Sequence, residues 1–207
     1  ATEDVSTAAT GALTATDGDT GESSMADKAS TASTYGTYSM TSGTWTYTLD
    51  STNSAVHALA SGSSLSDSLS FASADGTAQT VTITIAGAND AATIAGDTTG
   101  AATEDVSTAA TGALTATDTD TGESSMTDKA STASTYGTYS MTSGAWTYSV
   151  DSTNSAVQAL ASGSSLADSL SFTSNDGTAQ AVTITIAGAN DAPTIDSAEV
   201  TAVDEDV

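Results

Sequence analysis

The sequence predicts an all-β chain of tandem sandwich repeats stacked head to tail as a rod. Three observations carry this: a repeat 101 residues long, an apolar period of two inside each repeat, and acidic residues sorted to the repeat ends. The stretch TEDVSTAATGALTATD begins at Thr2 and again at Thr103. Residues 1–101 and 102–202 are identical at 84 of 101 positions, and six of the 17 differences fall in 95–100, which marks a junction. Glu205-Asp206-Val207 matches Glu104-Asp105-Val106, so the segment reads as internal to a longer array. A unit this long exceeds any solenoid repeat and can enclose a modest core of its own. The expected division is 1–92 as a first repeat without its leading strand, 93–193 as a second, and 194–207 as the leading strand of a third.

The strands follow from alternation. Tyr38 and Met40 alternate with Thr37 and Ser39; Trp45, Tyr47 and Leu49 alternate with Thr. Leu69 and Phe71 alternate with Ser, and Val81, Ile83 and Ile85 with Thr. Apolar residues at every second position read as half-buried strands. Thr41-Ser42-Gly43-Thr44 and Ala74-Asp75-Gly76-Thr77 are hairpin turns. One helical turn follows Asn53, its cap, with Val56 and Leu59 on one face and Gly62 as the stop. Counting a leading strand at 93–103, one around Leu13 and a poorly patterned one near Met25, the unit has seven strands, the immunoglobulin-like number.

Composition narrows the function. There are 26 acidic residues against two basic ones, Lys28 and Lys129, for a net charge of −24. Salt bridges cannot neutralise such a surface, and nucleic acid or an anionic membrane would be repelled by it. No apolar run is long enough to span a bilayer, and no charged-then-apolar leader opens the sequence. Cysteine is absent, so bound metal is the available staple for a small extracellular domain.

Alternating strand direction places Glu3, Asp4, Asp50, Asp67, Asn89 and Asp90 at the bottom of the first repeat, and Asp17, Asp19, Glu22 and Asp75 at its top. Their second-copy counterparts are Glu104, Asp151, Asp168, Asn190 and Asp191 below, and Asp118, Asp120, Glu123 and Asp176 above. Head-to-tail stacking brings the first repeat's bottom set against the second repeat's top set. Bare, these carboxylates repel. With Ca2+, which takes 6–8 hard oxygens, they make a cage for roughly two or three ions. Asp17-Gly18-Asp19-Thr20-Gly21-Glu22 is the sharpest local motif; its flanks are strands and the 12-residue EF-hand spacing is missing. A lone Asp is also an ordinary turn former. Only the sorted set points to calcium.

The segments GALTATDGDTGE, YGTYSMTSGTWTYTLD and SLSDSLSFASADGTAQTVTITIAGAND resemble the VCBS-type, bacterial cadherin-like repeats of RTX adhesins, across both copies. The resemblance implies a secreted protein of the bacterial cell surface, exported by type I secretion. It also implies many tandem repeats, rigidified by several Ca2+ ions each, that hold a distal adhesive, ice-binding domain away from the cell. Ala189 to Pro193 is similar to cadherin linkers, where an Asn-Asp pair before Pro ligates interdomain calcium; Asn190 and Asp191 match. In the first copy Ala92 replaces the proline, which loosens the constraint on the preceding residue.

The lone histidine, His57, is Gln158 in the second copy, so it reads as a solvent-facing helix residue and no enzyme is expected. Trp45 and Tyr47, with Trp146 and Tyr148, could form a sugar platform, the alternative being a glycan-binding adhesive module. Their phase with Leu49 favours the core. One Thr-rich strand per unit makes no flat array, so direct contact with ice is not expected. The expected partners are neighbouring repeats of the same chain, and the tail 194–207 could pair with another molecule as a donated strand.

Overall fold

A computed structural model describes residues 1–5 and 8–195. The tail expectation for 194–207 therefore falls almost wholly outside the described residues. The fold is all-β: sandwiches of paired sheets with two single-turn helices.

Strands β1 (Ala9–Ala12), β2 (Lys28–Ala32), β3 (Gly36–Thr41) and β4 (Thr44–Leu49) form one sheet in the order β1-β4-β3-β2. Helix α1 (Ser54–His57) leads to the second sheet, β5 (Ser64–Ala72) paired with β6 (Ala78–Ala86). The second copy repeats this with β7 (Thr93–Gly96), β8 (Thr99–Thr103), β9 (Ala110–Thr117), β10 (Lys129–Ala133), β11 (Gly137–Thr142), β12 (Ala145–Val150), α2 (Ser155–Gln158), β13 (Ser165–Thr173) and β14 (Ala179–Ala187). Its sheets are β10-β11-β12-β9-β7 and β13-β14-β8. No sheet mixes strands from the two copies among the described residues.

Alternation decides what is buried. In β13 and β14 every second residue points inward, and Leu170 faces Val182 across the ladder while Leu166 faces Ile186. The opposite sheet contributes Tyr139, Met141, Trp146 and Tyr148. Tyr139 meets Phe172 edge-on, ring centres 5.3 Å apart, and the Lys129 ammonium lies over the Tyr139 ring. The first copy has the same core around Tyr38, Met40, Tyr47, Leu69, Phe71, Ile83 and Ile85. The aromatic residues belong to the core, as their phase with Leu49 predicts.

Ser42 and Gly43 both adopt positive φ (49° and 78°), the primed turn that suits a two-residue hairpin. Asn53 caps α1 through Ala55 N–H, and Val56 is buried. The helix already ends at Ala58, and Gly62 (φ 84°) lies in the turn beyond it rather than stopping the helix.

The leading strand is two strands, not one. β7 runs antiparallel to β9, whereas β8 runs parallel to β14 in the other sheet. The crossing occurs at Gly96 (φ 120°), where a β-carbon would lie 2.2 Å from the Ala113 carbonyl. The strand near Met25 is also displaced. Met25 forms only an isolated bridge to Ser73, and the strand proper is β2, with a register shift between Lys28 and Thr31.

Among the described residues β1 lacks the edge partner that β7 gives β9, and the effect is local. Trp146 is fully buried and its indole N–H donates to the Asp97 carbonyl. Trp45, its equivalent, is only partly buried. Both indoles lie against a glycine: a β-carbon at Gly112 would sit 2.3 Å from Trp146, and one at Gly11 2.5 Å from Trp45. Gly112→Ala is expected to cost about 1–3 kcal/mol by overpacking. Gly11→Ala is expected to cost less, because Trp45 can swing outward. Equilibrium unfolding of the two variants checks the order.

Candidate metal centre

The top loop of the second repeat is wound on itself. Asp118 accepts the Asp120 N–H at 2.8 Å, and the Ser124 hydroxyl ties both the N–H and the carbonyl of Asp118. Gly122 takes φ 92°, and Glu123 N–H returns to the Asp120 carbonyl. One carboxylate oxygen each from Asp118, Asp120 and Glu123 then lies within 4.8 Å of the others.

The bottom of the first repeat faces this loop. The bridge between Thr2 and Ala86 sets Glu3 at the sandwich end, where one of its oxygens accepts the Ala88 N–H at 3.3 Å. Glu3, His57 and Asp90 form a second group within the same 4.8 Å limit. Three backbone donors join the two sides. Asp90 N–H reaches Asp120 at 2.9 Å, Ala92 N–H reaches Asp176 at 3.0 Å, and Thr121 N–H reaches the Ala58 carbonyl at 3.1 Å.

These bonds do not use up the carboxylates. Glu3 Oε1, Asp90 Oδ2, Asp118 Oδ2, Asp120 Oδ1 and Glu123 Oε2 are all buried without a donor. Buried polar atoms are normally paired, so five such oxygens at one junction are a specific anomaly. Glu3 and Asp120 are each only 2 % exposed. Burial raises the Glu3 pKa despite the Ala88 bond, and the charges of Asp4, Asp120 and Asp90 raise it further. Glu123 is raised by desolvation and then by Asp120, Asp118 and Asp176. Glu3, on one repeat, thus feels Asp120 on the other.

The remaining expected residues are distributed as follows. Asp17, Asp19 and Glu22 form the equivalent group at the top of the first repeat, and Glu104 and Asp191, with Asp105, form one at the bottom of the second. Glu104 is fully buried and its Oε1 is also without a donor. Asn89 and Asn190 donate side-chain N–H groups to the carbonyls of Asp90 and Asp191. Asp75 and Asp176 accept from Ser73 and Ser174 and from Thr77 and Thr178 inside their hairpins. These bonds outweigh desolvation at Asp176 and depress its pKa strongly, and only Asp176 also reaches across the junction.

Asp75, Asp176, Asn89 and Asn190 are outside the acidic groups, and so are four more residues. Asp50 and Asp151 cap the turn before each helix by accepting from Thr52 and Thr153, which lowers their pKa. Asp67 and Asp168 are in phase with Leu69 and Phe71, and with Leu170 and Phe172, so they point into the sandwich, each 1 % exposed. There they accept from Tyr47 and Tyr148 and from the amides of Tyr35 and Tyr136.

Sequence reasoning overlooked two members. His57 is exposed on α1, as expected, but its Nδ1 also lies 3.4 Å from Asp90 Oδ2. Asp105 joins the lower group by way of a positive φ of 58°. Its signal was its equivalence to Asp4, which strand direction sends to the same end as Glu3.

No family model and no curated protein matches the chain. Among solved structures it is similar to protocadherin gamma B2 extracellular cadherin domains 3–6, at 13% identity, TM-score 0.34 and 88% of this chain. It is also similar to a Ca2+-stabilized adhesin with which an Antarctic bacterium binds ice (17%, 0.23, 87%). A third is a Bacteroides ovatus mixed-linkage glucan utilization protein, SGBP-B (10%, 0.20, 91%). The match spans 41–42% of each of these chains. These are weak likenesses of β architecture, and the functional reading rests on the junction itself.

Proposed function

We propose that the chain is an extracellular extender: a spacer of tandem sandwich repeats whose junctions are stiffened by Ca2+, in the manner of an adhesin stalk. The division into repeats at 1–92 and 93–193 belongs to this reading. The observation that carries it is the convergence, from two repeats, of five buried carboxylate oxygens without donors. Glu3 and Asp90 would hold the ion from below, and Asp118, Asp120 and Glu123 from above. An all-oxygen set with several negative charges is what a hard cation of calcium's size prefers. Such an ion would cancel repulsion across the junction and crosslink the two units. A site that exists only in the assembled junction stabilises it by mass action.

The glycan-binding alternative draws no comparable support. Among the described residues no aromatic side chain is exposed, and the large exposed apolar residues are Val5, Val106 and Ile195.

Small-angle X-ray scattering of this chain, in millimolar calcium and then in chelator, tests the reading. The maximum dimension is expected to be long and sharply defined with calcium, and shorter and broader without it. An identical profile in both buffers would sink the stiffening role.

A further inference from the structure

The two copies are nearly identical, yet one junction group differs in chemistry. In the second copy it is Glu104, Asp105 and Asp191, all oxygen, and Gln158 spends its side-chain N–H on Asp105 at 3.0 Å. In the first copy the glutamine position is His57, and an imidazole nitrogen enters the group with Glu3 and Asp90. His57 Nδ1 and Asp90 Oδ2 lie 3.4 Å apart, and Asp90 Oδ2 receives no hydrogen bond from any donor. Glu3, 2 % exposed, is the third member of that group, and its Oε1 is buried without a donor.

The 3.4 Å between His57 Nδ1 and Asp90 Oδ2 is an ion-pair distance when the imidazole is protonated; with Nδ1 unprotonated it also suits two ligands of one small cation. Tetrahedral ligands held at zinc's bond lengths of about 2.0–2.1 Å are about 3.3–3.4 Å apart. Imidazole is a poor ligand for calcium and a good one for zinc-class ions. A water would complete the fourth position.

We propose that Glu3, His57 and Asp90 form a mixed nitrogen–oxygen site for a borderline divalent cation of the zinc class, specific to the first copy. The chain then carries two kinds of metal position: all-oxygen groups for a hard cation, and one that discriminates by its histidine. The proposal goes beyond the calcium reading and shares Glu3 and Asp90 with it.

The chain has a single histidine, so one imidazole signal reports the site. The experiment is a Zn2+ titration at pH 7.5 in Ca2+-free buffer, repeated in saturating Ca2+ to read competition for Glu3 and Asp90, and followed by equilibrium dialysis and by nitrogen-15 NMR of that imidazole. His57→Gln is the control, and it installs the residue the second copy already folds with. The wild type is expected to bind its tightest Zn2+ at least about tenfold more strongly than His57→Gln, with the Nδ1 signal displaced. Equal binding by both proteins, or an unmoved imidazole signal, would overturn the proposal. A missing calcium response in scattering alongside a displaced imidazole would remove the calcium reading and leave this site standing; the reverse pair of results would do the opposite.

Discussion

Asp168→Ala is expected to lower the melting temperature of the second repeat by more than about 10 °C, the largest single-residue effect in the chain. The Asp168 carboxylate is almost wholly buried and accepts from the Tyr148 and Ser134 hydroxyls and from the amides of Thr135 and Tyr136. Removing it leaves four donors without their acceptor, the Tyr148 bond buried and the other three partly buried. Each is a costly orphan, and the sum is about 3–5 kcal/mol. The same network fixes a pH dependence. Burial pushes the Asp168 pKa up, but the bonds from Ser134, Tyr136, Tyr148 and Thr135 outweigh it and hold the group below its ordinary 3.8. A carboxyl depressed in the folded state contributes stability that is fully present above 3.8 and is lost as pH falls through its folded value. Acid unfolding of the wild type is therefore expected below that point, and the alanine variant should lose part of this steepness. Thermal melts across pH 2–7 check both. A variant melting within a degree or two of wild type would show that the network is not what holds the loop.

Glu3→Gln is expected to change sign with calcium. The amide keeps the shape and still accepts the Ala88 N–H, but it removes one charge. In chelator the variant should be the more stable protein, because burial and the charges of Asp4, Asp120 and Asp90 all oppose the Glu3 carboxylate. In saturating calcium it should be the less stable one. Its calcium midpoint should rise by at least about tenfold, equivalent to ~1.4 kcal/mol. Melting both proteins in the two buffers decides it. A shift of the same sign in both would mean that Glu3 plays a purely structural part.

The fold was largely legible because period-two alternation is a direct image of which side of a sheet faces the core. Trp45, Tyr47, Leu69, Phe71, Ile83 and Ile85 all follow it. The split of 93–103 was not legible, since its cause is one backbone angle at Gly96 and a crossing between sheets, neither of which changes local periodicity. The junction residues could be anticipated in part, because strand direction alone sends Glu3 and Asp90 to one end and Asp118, Asp120 and Glu123 to the other. Strand direction could not separate them from Asp67 and Asp168. Those two occupy inward phases of a strand, and the donors that hold them come from a loop more than thirty positions earlier. The replacement of His57 by Gln158 in the second copy gave no sign of a partner, because Asp90 is distant in sequence and near only in space.

The parallel pairing of β8 with β14 has a consequence under load. β8 lies near the start of the second repeat and β14 is its last strand, and five residue pairs, from Thr99 with Thr183 to Thr103 with Ala187, hold them together. Tension drawn along the chain pulls β8 backward and β14 forward, so the ladder is sheared. Its hydrogen bonds must then yield together instead of opening one after another from an end.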